Sequence, residues 1–139
     1  MQVKKLDHVN VHTTNLGGMV EWYGRVLGMP SGERPPFPFP GAWLYCGGEP
    51  TVHLVGVDSV TKPEGLPQLE HFAFSATGLE EFMGRLERNK VRHEARKVPR
   101  SGSVQVNIWD PDGNHIHVDF PPEESAGVAL KEVATGGMR

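Results

Sequence analysis

The sequence has little that would suit an oxidising compartment, a membrane or a polyanion. Its 139 residues hold one cysteine, Cys46, so no disulfide can close within the chain. No apolar run is long enough for a signal peptide or a membrane span, and Met1-Gln2-Val3-Lys4-Lys5 leads straight into a strand-like alternation. A cytoplasmic location is the expectation. Nor is there a basic excess: the net charge is -3 and the pI about 6.1. The densest basic stretch, residues 85–100, is interrupted by Glu87 and Glu94 and reads as a solvated face. Nucleic acid and anionic membrane are therefore excluded as expected partners, because both require concentrated positive charge. The 37% of hydrophobic residues suffice for one sizeable core, hence one domain spanning residues 1–139.

What the chain does have is seven histidines and an internal repeat. Leu6-Asp7-His8-Val9-Asn10-Val11 matches Leu69-Glu70-His71-Phe72-Ala73-Phe74, each with Leu, an acid, His and then alternating apolar positions. Val52-His53-Leu54-Val55 matches Ile116-His117-Val118-Asp119. His53 follows His8 by 45 positions, and His117 follows His71 by 46. Such self-similarity sets the architecture. It predicts module one over residues 1–60, module two over 67–121 and a tail over 122–139, the tail mobile or a short packed helix.

Each module reads βαβββ. In the first, residues 5–12 alternate as a half-buried strand, residues 18–28 carry Met19, Tyr23, Val26 and Leu27 at helical spacing, and strands follow at 42–46 and 51–57 after the turn at 47–50. In the second, a strand at 70–76 precedes a helix at 79–89 with Leu79, Phe82, Met83 and Leu86 on one stripe. Strands follow near 92–97, 103–109 and 115–120, the last two joined by the turn formers Asp110-Pro111-Asp112-Gly113-Asn114. Residues 31–40 contain four prolines around Phe37 and Phe39, so they cannot be a central strand. They read as an irregular connection whose phenylalanines cover the core edge, or as a loop walling a pocket. The fold class is α+β.

Alternation assigns the histidines a face. The apolar neighbours of His53 and His117 take the face covered by the helix, which leaves His8, Asn10, His53, Gln105, Asn107 and His117 on the other. That many polar groups on one face need partners. The matched quartet His8, His53, His71 and His117 is the expected ligand set for one divalent metal, with zinc, nickel, cobalt and iron(II) the candidates for imidazole donors. His12, His93 and His115 lack a histidine counterpart in the other module. His115 shares the face of His117 and is the substitute if the register shifts by two. Asp119, two residues past His117 on that face, is the candidate base. Asp7 and Glu70 precede ligand positions and should face the opposite side. Asn10, His12, Trp43, Tyr45, Gln105 and Asn107 are the candidate pocket residues, and Arg34 or Arg100 could meet an anionic substrate.

The opening Leu6-Asp7-His8-Val9, the segment Trp22-Tyr23-Gly24-Arg25-Val26-Leu27-Gly28-Met29, the stretch from Leu69-Glu70-His71, and Asp110-Pro111-Asp112-Gly113-Asn114 resemble the vicinal oxygen chelate superfamily up to Phe120. That superfamily includes glyoxalase I, bleomycin-resistance proteins, fosfomycin-resistance enzymes and extradiol dioxygenases. The resemblance implies paired βαβββ modules forming a cupped mixed sheet with the helices outside, metal ligands on the first and last strand of each module, and a homodimer. His8, His53, His71 and His117 occupy the ligand places. The family pattern carries Glu where this chain has His117, and often Glu or Gln where it has His53. Neither the glyoxalase reaction nor the 2-His-1-carboxylate iron site therefore carries over directly. The expected function is a metal-dependent lyase or isomerase acting on a small oxygenated molecule through a bidentate chelate. An iron(II) extradiol-type dioxygenase and a non-catalytic drug- or metabolite-binding protein are the alternatives.

Overall fold

The structure is a computed structural model that describes residues 1–126, 128 and 130–132. It contains two compact units, residues 1–62 and residues 63 onward. Each repeats the same βαβββ order.

The first unit runs β1 (Val9–Thr13), α1 (Leu16–Leu27), β2 (Ser31–Gly32), β3 (Gly41–Cys46) and β4 (Glu49–Gly56). Its sheet order is β1-β4-β3-β2, with β1 parallel to β4 and the remaining pairs antiparallel. The helix begins where Asn15 accepts a hydrogen bond from Gly18 N, and it stops at Gly28. Gly28 has φ 66°, and its amide returns to the Tyr23 carbonyl. Met19, Trp22, Tyr23 and Val26 recur at helical spacing and are buried, and α1 packs on β3 and β4. Leu44, Val52 and Leu54 are the fully buried strand residues of this core.

The second unit runs β5 (His71–Ser75), α2 (Leu79–Arg88), β6 (His93–Lys97), β7 (Val104–Trp109), β8 (His115–Phe120), a 3-10 turn (Pro122–Ser125) and β9 (Lys131–Glu132). The order is β5-β8-β7-β6-β9, with β5 parallel to β8 as β1 is to β4. Leu79, Phe82 and Leu86 form the buried face of α2, and Phe82 lies 5.7 Å from Phe120, centroid to centroid. Val104, Val106, Ile108, Ile116 and Val118 complete this core.

Most expected elements are present with ends shifted by a few residues, but three details differ. The first strand starts at Val9 rather than residue 5, so His8 stands just before the paired segment. Residues 31–40 open with the short edge strand β2 before becoming irregular. Within the expected tail, residues 122–125 form a 3-10 turn whose Glu124 Oε1 accepts from Gly78 N and Leu79 N at 2.8 and 2.9 Å. The start of α2, which lacks a side-chain cap of its own, is closed in this way. Residues 127, 129 and 133–139 of that tail lie outside the described residues.

Candidate metal centre and aromatic cleft

Strand pairing in the second unit decides which side chains meet. In the parallel β5–β8 ladder His71 lies opposite His115 and Ala73 opposite His117. In the β7–β8 ladder Asn107 lies opposite His117 and Gln105 opposite Asp119. Directly paired residues share a sheet face, so His71, His115, His117, Asp119, Gln105 and Asn107 all leave the side away from α2. The rings of His71 and His117 stack at 3.9 Å, and His115 meets both edge-on at 5.4 and 4.7 Å. His71, His115 and His117 each offer a nitrogen within 4.8 Å of the others, a spacing that fits one shared ion.

The hydrogen bonds around these rings determine which nitrogens are free. His71 Nδ1 donates to the Glu70 carboxylate, which leaves its Nε2 lone pair available. His115 Nδ1 meets the same carboxylate at 3.0 Å, and its Nε2 lies 2.8 Å from Asn107 Oδ1. Asn107 is oriented by its own Nδ2, which donates to the Glu94 carbonyl. His117 is 2% exposed, and its Nε2 is buried without a hydrogen-bond partner. Its Nδ1 is 2.6 Å from the Gln105 side-chain amide nitrogen. Rotated by half a turn, that amide would accept Nδ1–H instead and bare the Nε2 lone pair. An orphaned buried imidazole nitrogen beside a carboxylate-oriented imidazole fits a divalent cation, since metal-bound histidines characteristically pass their other N–H to a carboxylate or carbonyl.

Electrostatics agree with this donor set. Burial, with the neighbouring His71 and His115 adding to it, lowers the His117 pKa from 6.5 to about 4, so the ring is neutral at physiological pH. Hydrogen bonding to His71 holds the Glu70 carboxyl below its ordinary value. Asp119 moves the other way: burial raises its pKa, and its Oδ1 is buried without a hydrogen-bond partner.

In the first unit the rings of His8 and His53 stack at 3.9 Å, and Trp43 stacks on His53 at 4.1 Å. His53 lies opposite Asn10 on one side and Trp43 on the other. His8 Nδ1 is 2.7 Å from Asp7 Oδ2, which repeats the Glu70–His71 arrangement. His53 Nε2 donates to the Pro50 carbonyl at 2.9 Å, and burial, then the charge of His8, lowers its pKa. These groups border a cleft of about 440 Å³ that also takes in Arg34, Phe37, Phe39 and Trp43.

The four matched histidines thus form one stacked pair in each unit, and His115 joins the second pair. Asn10 and Trp43 line the cleft; His12 is exposed and is not among the cleft residues. Tyr45 is displaced by a register shift between Leu44 and Tyr45, so its ring covers Gly32 and its hydroxyl donates to the Glu33 carbonyl at 2.5 Å. The expectation that Asp7 and Glu70 face away is corrected. Alternation constrains only paired residues, and both acids precede their strands, so each folds back onto the adjacent imidazole. The repeated acid–His dipeptide was the sequence signal for this role.

The profile of the Glyoxalase/Bleomycin resistance protein/Dioxygenase superfamily matches residues 5–118. A glyoxalase family protein from Bacillus anthracis superposes with a TM-score of 0.71 at 20% identity, covering 87% of this chain and 98% of its own. The genomically encoded fosfomycin resistance protein of Listeria monocytogenes gives 0.67 at 12% identity, with 86% and 94% covered. Lactoylglutathione lyase from Agrobacterium tumefaciens gives 0.64 at 18%, with 90% and 99% covered. Likeness at these identities shows a shared fold. No curated protein matches the sequence. With a profile match across most of its length and the paired βαβββ units in place, the chain belongs to the Glyoxalase/Bleomycin resistance protein/Dioxygenase superfamily.

Proposed function

We propose that this protein is a metal-dependent enzyme acting on a small oxygenated molecule, in the manner of a lyase or isomerase. The carrying observation is the cluster of His71, His115 and His117, with Glu70 gripping two of the rings and the His117 Nε2 left without a protein partner. His71 and His117 would hold the ion through Nε2, and His115 could join by exchanging its bond to Asn107. When bound, a divalent ion supplies Lewis acidity toward an oxygen of the substrate. The chain's own residues supply the rest. Glu70 and Gln105 orient imidazoles, and Asp119, with its raised pKa and unpartnered oxygen, is the group suited to accept a proton. Names among the structural relatives, lactoylglutathione lyase and a fosfomycin resistance protein, agree with chemistry on small oxygenated molecules. A homodimer belongs to this reading through the family resemblance. Among the described residues no helix is long and apolar enough to cross a membrane.

Elemental analysis of the purified protein and of His71→Ala tests the metal reading directly. The wild type should carry about one zinc, nickel, cobalt or iron per chain and the variant should lose most of it. A wild type that neither holds metal nor gains it on soaking would move the protein to the small-molecule-binding class. Iron together with aerobic consumption of a catechol would move it to the dioxygenases.

A further inference from the structure

The first unit holds an exposed aromatic surface that the metal reading leaves unexplained. Phe37 and Phe39 are 42% and 43% exposed, although large apolar rings ordinarily avoid water. They are not loosely held. Pro35, Pro36, Pro38 and Pro40 fix the backbone on every side of them, and Phe37 N donates to the Pro35 carbonyl at 2.7 Å. The two rings stack at 5.2 Å, and Trp43 lies 6.4 Å from Phe37 at a tilt of 52°. Arg34 extends over both phenylalanines, its guanidinium carbon 5.1 and 5.0 Å from their centroids.

Among the described residues Arg34 has no carboxylate partner; it donates to the Phe39 carbonyl at 3.1 Å. Gly41 makes room for it, since a Cβ there would come 2.7 Å from Arg34 Nη2. Asp7 is the acid lining the cleft, and its carboxylate is engaged by His8 at 2.7 Å. A stiff aromatic wall thus stands beside a cation without a counter-ion. A volume of about 440 Å³ lies within the range of small-ligand sites.

We propose that this cleft binds an aromatic carboxylate, its ring against Phe37 and Trp43 and its anionic group on Arg34. Aromatic edges and faces reward a flat ring over an aliphatic one of similar size, and a guanidinium pairs with a carboxylate through two parallel N–H donors. The prolines hold the wall in place before the ligand arrives, which reduces the ordering cost of binding. The proposal names a substrate class for the enzyme inferred above and rests on that reading only for turnover. Binding stands separately.

Calorimetric titration of the full chain, as purified and after chelation, with naphthoate, decahydronaphthoate and naphthalenemethanol tests it. Naphthoate should bind in both preparations, and the other two at least about tenfold more weakly, because one lacks the flat aromatic ring and the other the charge. Arg34→Gln should abolish the preference for naphthoate over the alcohol, and Arg34→Lys should restore part of it. Trp43→Leu should remove the preference for naphthoate over decahydronaphthoate. His117→Ala, which tests the metal reading, should leave naphthoate binding in the chelated protein unchanged. Absence of naphthoate binding, equal binding of all three probes, or an unchanged preference in a folded Arg34→Gln would overturn the proposal. Loss of binding on chelation would also overturn it, by assigning the carboxylate to the metal instead of Arg34.

Discussion

Gln105 reaches across from β7 to within 2.6 Å of Nδ1 of His117, although the residue directly opposite His117 on that strand is Asn107. The diagonal contact frees Asn107 to meet His115. Each of the two amides therefore fixes one ring of the cluster. Together with Glu70 they constitute an outer layer of hydrogen bonds around the imidazoles, the kind of support that keeps ligand nitrogens aimed.

Glu70→Gln should keep the fold and weaken metal binding by roughly 10- to 100-fold, the usual consequence of losing a carboxylate behind a ligating histidine. Competition against a chromogenic chelator measures this. Unchanged affinity would remove Glu70 from the site.

Metal content tests the second unit's triad as the ligand set. His117→Ala should be depleted like His71→Ala, and His53→Ala, in the other unit, should retain the ion. Elemental analysis of the three variants, each checked for folding by circular dichroism, is the readout, and depletion in His53→Ala would contradict the triad.

Acid should destabilise the metal-free protein through His117. Its folded pKa of about 4 lies below the ordinary 6.5, so between those values the unfolded chain binds the extra proton and stability falls as pH falls. The full effect of this one group is roughly 3–4 kcal/mol at about 1.4 kcal/mol per pKa unit. Denaturant titrations of the chelated protein from pH 7 to 4 should show that slope, and His117→Gln should flatten it. Equal slopes would mean that the ring is not buried neutral.

Asp119→Asn should raise stability at pH 7 while impairing any proton transfer. Burial raises the Asp119 pKa, so its contribution is favourable when it is protonated and is lost as pH rises through the folded pKa. A neutral amide removes that cost. The thermal midpoint is the readout, and a lowered midpoint at neutral pH would contradict this account of Asp119. Gains in stability on removing a group poised for chemistry are a common trade-off.

Local rules made much of this molecule legible. Alternation about His53 and His117 separated helix-facing apolar residues from an opposite polar set, and Val52, Leu54, Ile116 and Val118 are indeed core. Gly28 stops α1 because the backbone there requires a positive φ. Periodicity was blind to Asp7 and Glu70, which stand outside the ladders and are free to turn back. It was also blind to the slip at Leu44/Tyr45 that diverts Tyr45 to Glu33.

The linear order of residues determined the repeated βαβββ units, because side-chain period and turn chemistry are encoded within a few neighbours. It also determined which face of each sheet is polar. Only the tertiary structure decided that His115 joins His71 and His117 and that Glu70 serves two rings. It alone placed Arg34 over Phe37 and Phe39. Those contacts depend on strand register and on where pairing starts, and both are set by residues far apart in the chain.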